Sequence, residues 1–209
     1  VIHDNNTENY APGGTVAIIP AGTGTFAMAS RRVEIYDNDY KNNQTGDIAI
    51  ISGLVVEGDP TQWALTESEL VGDVTGLVLD QLQDGVIANF RTTEVYVHDN
   101  THDGSGLSPD MSDSEGIGFL LGIAYYDAQV DNVIYDTLGE SAFSATDASG
   151  NSNDNHICVA ASEETFASMD VEHLQDVPSK DHFYRPSAPF APFDCSSFTE
   201  GPIGDITVD

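Results

Sequence analysis

The chain has 209 residues, 40% of them apolar, enough to bury a core as one domain. Thirty-five acidic residues against six basic ones give a formal net charge of −29, with 23 Asp to 12 Glu. That field repels nucleic acids and anionic membranes, both of which are bound through clustered Lys and Arg, so neither is expected as a partner.

The first element is Val1-Ile2-His3-Asp4-Asn5-Asn6-Thr7, a short alternation of β-branched and polar residues closed by Asp-Asn. It recurs at Val33-Glu34-Ile35-Tyr36-Asp37-Asn38-Asp39 and at Val95-Tyr96-Val97-His98-Asp99-Asn100-Thr101, with a weaker copy at Val133-Ile134-Tyr135-Asp136. Val33 and Ile35 share one strand face, and Glu34 and Tyr36 the other. Further strands are predicted at Thr25-Phe26-Ala27-Met28-Ala29 and at Asp47-Ile48-Ala49-Ile50-Ile51-Ser52, separated by Gly, Asn and Ser clusters that read as turns. Repeated strand-plus-turn units with loops of varied length predict an all-β chain, a right-handed parallel β-helix, with Asn5, Asn38 and Asn100 in one hydrogen-bonded ladder.

After Pro60, Thr66-Glu67-Ser68-Glu69 reads as a capping box, and Leu70, Val74, Leu77, Val78 and Leu82 follow at helical spacing until Gly85. This predicts an amphipathic helix inside an insertion at residues 57–90. The apolar stretch Ile117 to Tyr126, broken by Gly118 and Gly122, is too short to span a bilayer. From Pro178 onward, Pro186, Pro189, Pro192 and several Phe predict an extended strap. The expected organisation is therefore 1–177 for the repeats and 178–209 for the strap.

Two explanations compete for the acidity: a solvated surface suited to a saline habitat, and Ca²⁺ ligation through carboxylates and amide oxygens. The Ca²⁺ candidates are Asp4, Asp37 and Asp99 at one repeat position, then Asp103, Asp110 and Asp113, then Asp147, Asn151 and Asn153. The last run lacks the Gly and Glu of an EF-hand loop. His3, Tyr36 and His98, with Glu34 and Tyr96 beside them, are candidates for an outward ligand-binding row, such as a sugar groove; solvent-facing strand residues with high β propensity would look the same. GxSxG, HExxH, P-loop and GxGxxG patterns are absent from the sequence, so serine-hydrolase, zinc-protease and nucleotide-binding readings have no support. No catalytic residue is assigned.

The stretches from Asn9 to Gly24, Val33 to Asn38 and Asn42 to Ser52 resemble the C-terminal half of bacterial exported parallel β-helix repeat-containing proteins. Asn155-His156-Ile157-Cys158-Val159 and Phe193-Asp194-Cys195-Ser196 are similar to that family's C-terminal end. The resemblance implies the fold and an extracellular, periplasmic or cell-surface location, but no established activity. In an exported chain Cys158 and Cys195 are expected to pair, with two buried free thiols as the alternative. Because Val1 falls inside a repeat copy, a protein partner supplying N-terminal rungs is a second expectation beside a polysaccharide. The functional expectation is a structural or binding protein, and the alternative is a carbohydrate-active enzyme.

Overall fold

The β-branched runs form strands. The computed structural model describes residues 1–11, 14–66, 69, 79–82, 86–113, 116–126, 128–173 and 180–195. In chain order the strands are β1 (Ile2–His3), β2 (Thr23–Met28), β3 (Arg31–Tyr36), β4 (Asp39–Lys41), β5 (Gly46–Ile51), β6 (Ala64–Leu65), β7 (Asp80–Gln81), β8 (Ile87–Ala88), β9 (Thr93–His98) and β10 (Thr101–Asp103). Helix α1 (Ile117–Tyr125) follows, then β11 (Val133–Tyr135), β12 (Ile157–Val159), β13 (Phe166–Met169) and β14 (Phe183–Tyr184).

These strands make four small sheets in place of the expected right-handed parallel β-helix. Two are parallel and three-stranded, β1-β4-β10 and β12-β9-β3. A third, β14-β13-β11-β5-β2, is parallel except that β14 joins antiparallel. The fourth, β6-β8-β7, is antiparallel. No closed or solenoid sheet forms among the described residues. The physical reason is the irregular spacing visible in the sequence. Long segments between paired strands carry their own elements, the antiparallel sheet and α1, and the tail returns against the run of β13.

Copies two and three of the repeat pair in register, Val33 with Val95, Ile35 with Val97 and Tyr36 with His98. Copy one does not join them, because Ile2 pairs with Tyr40 and His3 with Lys41 in a different sheet. The weak fourth copy lies in a third sheet, Val133 beside Ile48. The expected single Asn ladder accordingly divides in two. Asn38 donates its backbone N–H to Asn100 Oδ1 at 3.1 Å, and Asn100 donates its own to Glu163 at 3.1 Å. Separately, Asn5 N–H reaches Asn43 Oδ1, and Asn43 N–H reaches Ser105 Oγ. Asp37 and Asp99 both turn their corners at φ 53°, a left-handed conformation that Asp tolerates better than β-branched residues do.

The main core lies between the mixed five-stranded sheet and the two parallel sheets. Ile35, Val95, Val97, Ile157 and Val159 meet Ile48, Ile50, Val133, Tyr135 and Phe166. A second core forms where Ile117, Leu121 and Tyr125 of α1 cover Ile134, Ala167 and Met169 on the other face of the mixed sheet. The two glycines that interrupt the apolar run permit a close approach of α1 to a different neighbour, the Asp110–Met111 segment. A Cβ on Gly118 would collide with the Asp110 carbonyl, and one on Gly122 with Met111.

The capping contact exists, since Thr66 N–H donates to Glu69 Oε2 at 2.7 Å. Most of the predicted helix, residues 70–78, lies outside the described residues, and its far end differs, because Asp80–Gln81 is strand β7. The tail is more regular than a strap between 180 and 195: it contains β14 and seals the core with Phe190 and Phe193, 1% and 0% exposed. Phe193 C=O accepts from Val159 N–H, and Arg185 grips Asp131 through two hydrogen bonds of 2.6 and 2.9 Å. The Cys158–Cys195 disulfide forms as expected, with Cα atoms 4.9 Å apart.

Candidate functional site

The outward face of β3 and β9 gathers four of the five predicted ligand-binding residues. Alternation puts Glu34 and Tyr36 on that face of β3, and Tyr96 and His98 on that of β9. Register then sets Tyr36 beside His98 and Glu34 beside Tyr96. The His98 ring stacks on both tyrosines, with centroids 5.2 Å from Tyr36 and 4.0 Å from Tyr96. Its nitrogens meet two carboxylates, Asp99 at 2.8 Å and Glu34 at 3.1 Å. Burial opposes its charge, but those carboxylates outweigh burial and raise its pKa above the ordinary value. Tyr36 stays 49% exposed on β3, an edge strand of the sheet among the described residues. On the other side Cys158 pairs with Tyr96 and is covered by the disulfide-tied tail. The result is an open aromatic and imidazole face with a wall on one side. His3 is not part of it; it is exposed in another sheet, 2.8 Å from Asp4.

A second cluster lies inside, at residues to which the sequence reading gave no functional role. His102 is fully buried, with Nδ1 2.8 Å from Asp47 and Nε2 2.8 Å from Glu163, themselves fully buried. Both ring nitrogens face carboxylate groups, and donation from both makes the ring an imidazolium. Burial works against this charge, yet the two carboxylates push the pKa of His102 up to about 9. Burial likewise raises Asp47, but hydrogen bonds from His102, Asn43 and Ser105 prevail and lower it. Asn43 and Asn132 donate to Asp47 as well, and Tyr40 stacks on His102 at 5.4 Å. Buried charge on this scale is tolerated because every oxygen is engaged. A signal for it exists in the repeat: Tyr40 and His102 each stand two residues after the Asp-Asn turn.

No family model, curated protein or solved structure matches this chain. The geometry therefore carries the functional argument.

The calcium candidates are dispersed. Asp37 and Asp99 occupy neighbouring corners, whereas Asp4 sits at another corner, where its N–H donates to the Lys41 carbonyl. Asp103 lies beside Lys41 at the end of β10. Asp110 accepts from Ala21 and Ser112 N–H, and Asp113 lines a small cleft with it and Glu8. Asp147 caps a short 3-10 turn through Ser149, while Asn151 and Asn153 bond the backbone of Ser144 and Ile157. Among the described residues, no group of three or more His, Cys, Asp or Glu is placed to hold a metal ion.

Proposed function

We propose that this is an exported, non-catalytic binding protein that holds a neutral polysaccharide segment on the outward face of β3 and β9. The observation that carries the reading is the Tyr36–His98–Tyr96 stack, open on the Tyr36 side and flanked by Glu34 and Asp99. Exposed aromatic rings supply apolar faces for sugar C–H groups, and the carboxylates beside them accept hydrogen bonds from hydroxyls. A charge of −29 disfavours uronates and other anionic glycans. A non-catalytic role fits the carboxylate arrangement, since Glu34 and Asp99 are both engaged by one imidazole and neither stands apart as a general acid. The disulfide fits an oxidising compartment.

Calorimetric titration against a panel of neutral and anionic oligosaccharides tests the proposal. Binding is expected from the neutral members, reduced about tenfold or more in a Tyr36→Ala, His98→Ala double variant that keeps its circular dichroism spectrum. Unchanged affinity in that variant would place the ligand elsewhere. Release of reducing ends during incubation would make the protein an enzyme.

A further inference from the structure

The chain carries thirty-five acidic residues and six basic ones. Arg32, Lys41, Arg91 and Arg185 are ion-paired, with Glu94, Asp39, Asp80 and Asp131 respectively. Arg31 is different. Its NH1 atom is buried and has no hydrogen-bond partner among the described residues. A second orphan stands next to it: Thr93 is 0% exposed, and its hydroxyl also lacks a partner.

The two belong to one place in the fold. Arg31 and Thr93 are register partners on β3 and β9, and each is followed by a left-handed residue, Arg32 at φ 56° and Glu94 at φ 55°. Thr93 and Val95, on either side of Glu94, are both fully buried, so this position faces the core. Neighbouring parallel strands lie about 4.8 Å apart, so the backbones that carry the two orphaned donors are one strand spacing from each other. The third member of the row does not compete for them. Asn155 Nδ2 is spent on Tyr135 and the Leu138 carbonyl, and its Oδ1 on Arg91. A buried guanidinium N–H and hydroxyl left unmet are costly, and an anion meets both at once.

We propose that Arg31 and Thr93 form a binding site for a small monovalent anion of halide size, on the core side of β3 and β9. Full burial of Thr93 favours a small anion over a bulky one, and a divalent anion exceeds the single positive charge that Arg31 supplies. The site is separate from the outward aromatic face, because Arg31 and Thr93 face the core and Tyr36 and His98 do not.

The test is thermal unfolding in sodium chloride, sodium formate and sodium gluconate at one sodium concentration, so that screening of the −29 charge is the same in all three. Chloride is expected to raise the midpoint by about 2–4 °C over gluconate at concentrations several times its dissociation constant. Formate matching chloride would assign the site to small carboxylates as well, within the same proposal. Arg31→Gln and the near-isosteric Thr93→Val are each expected to abolish the difference between salts. Bromide should give an anomalous diffraction peak between the two side chains. Equal midpoints in all three salts would overturn the proposal and leave ordered water as the partner, as would a chloride effect that survives in both variants.

Discussion

Replacing His102 with Ala is expected to destabilise the protein by about 3–5 kcal/mol, because it leaves Asp47 and Glu163 buried without the cation they share. Denaturant unfolding at pH 6 measures it, and a loss under 1 kcal/mol would mean that the carboxylates find other partners. The same cluster sets a pH dependence whose sign follows from linkage. His102 has a folded pKa of about 9, above the unfolded value near 6.5. Its contribution is therefore complete below pH ~6.5 and disappears as pH rises through 9, a change of about 3 kcal/mol. Asp47 has a lowered folded pKa, so its contribution exists above pH ~4 and is lost as pH falls through the folded value. Asp136 adds to the alkaline side. It is buried, and the loss of hydration lifts its pKa to about 7 despite hydrogen bonds from Ser52 and Leu138 N–H. It favours the folded state least above that pH. Stability should be greatest in mildly acidic solution and fall steadily from pH 5 to pH 9, as a series of thermal melts would reveal. A maximum above pH 8 would contradict the assignment of charge to His102.

Phe193→Ala is expected to cost about 3–5 kcal/mol through the cavity it opens at the end of the core. The ring is fully buried, edge-on to Tyr135 at 5.6 Å and tilted against Phe166 at 5.4 Å. The Cys158–Cys195 bond should contribute about 2–5 kcal/mol, and the two effects are not expected to add. Cys195 is two residues from Phe193, so the disulfide tethers the segment that carries that ring. Denaturant unfolding of Phe193→Ala, Cys158→Ser and the double variant gives the cycle. Additivity within about 0.5 kcal/mol would show that tail and disulfide act independently.

The parts of this fold legible in the sequence are those decided by neighbours along the chain. Alternation at Val33 to Tyr36 and Val95 to His98 is enough to define a strand with one apolar face, and near-identity of the two runs is enough to pair them. The same alternation at Val1 to Asp4 is equally clear, yet it misplaced His3, because pairing depends on where the chain has travelled and not on the run itself. Asp47, His102 and Glu163 lie 55 and 61 residues apart along their contacts, and each alone looks like a surface residue. Helix α1 escaped for another reason. With Ile117, Phe119, Leu120, Leu121 and Ile123 almost consecutive, it lacks the polar stripe by which periodicity identifies a helix. Its place against the Asp110 and Met111 segment depends on missing side chains at Gly118 and Gly122.

The buried imidazolium has a consequence for how the strands find their partners. Val33, Val95 and Ile157, or Ile35, Val97 and Val159, are close to interchangeable in shape, so apolar packing alone distinguishes poorly between correct and shifted neighbours. Unlike charges discriminate more sharply. Only one arrangement brings β10, β5 and the loop after β12 together so that the cation from the first lies between one anion from each of the others. An alignment that parted the three would bury at least one bare carboxylate, at a cost of about 3–5 kcal/mol.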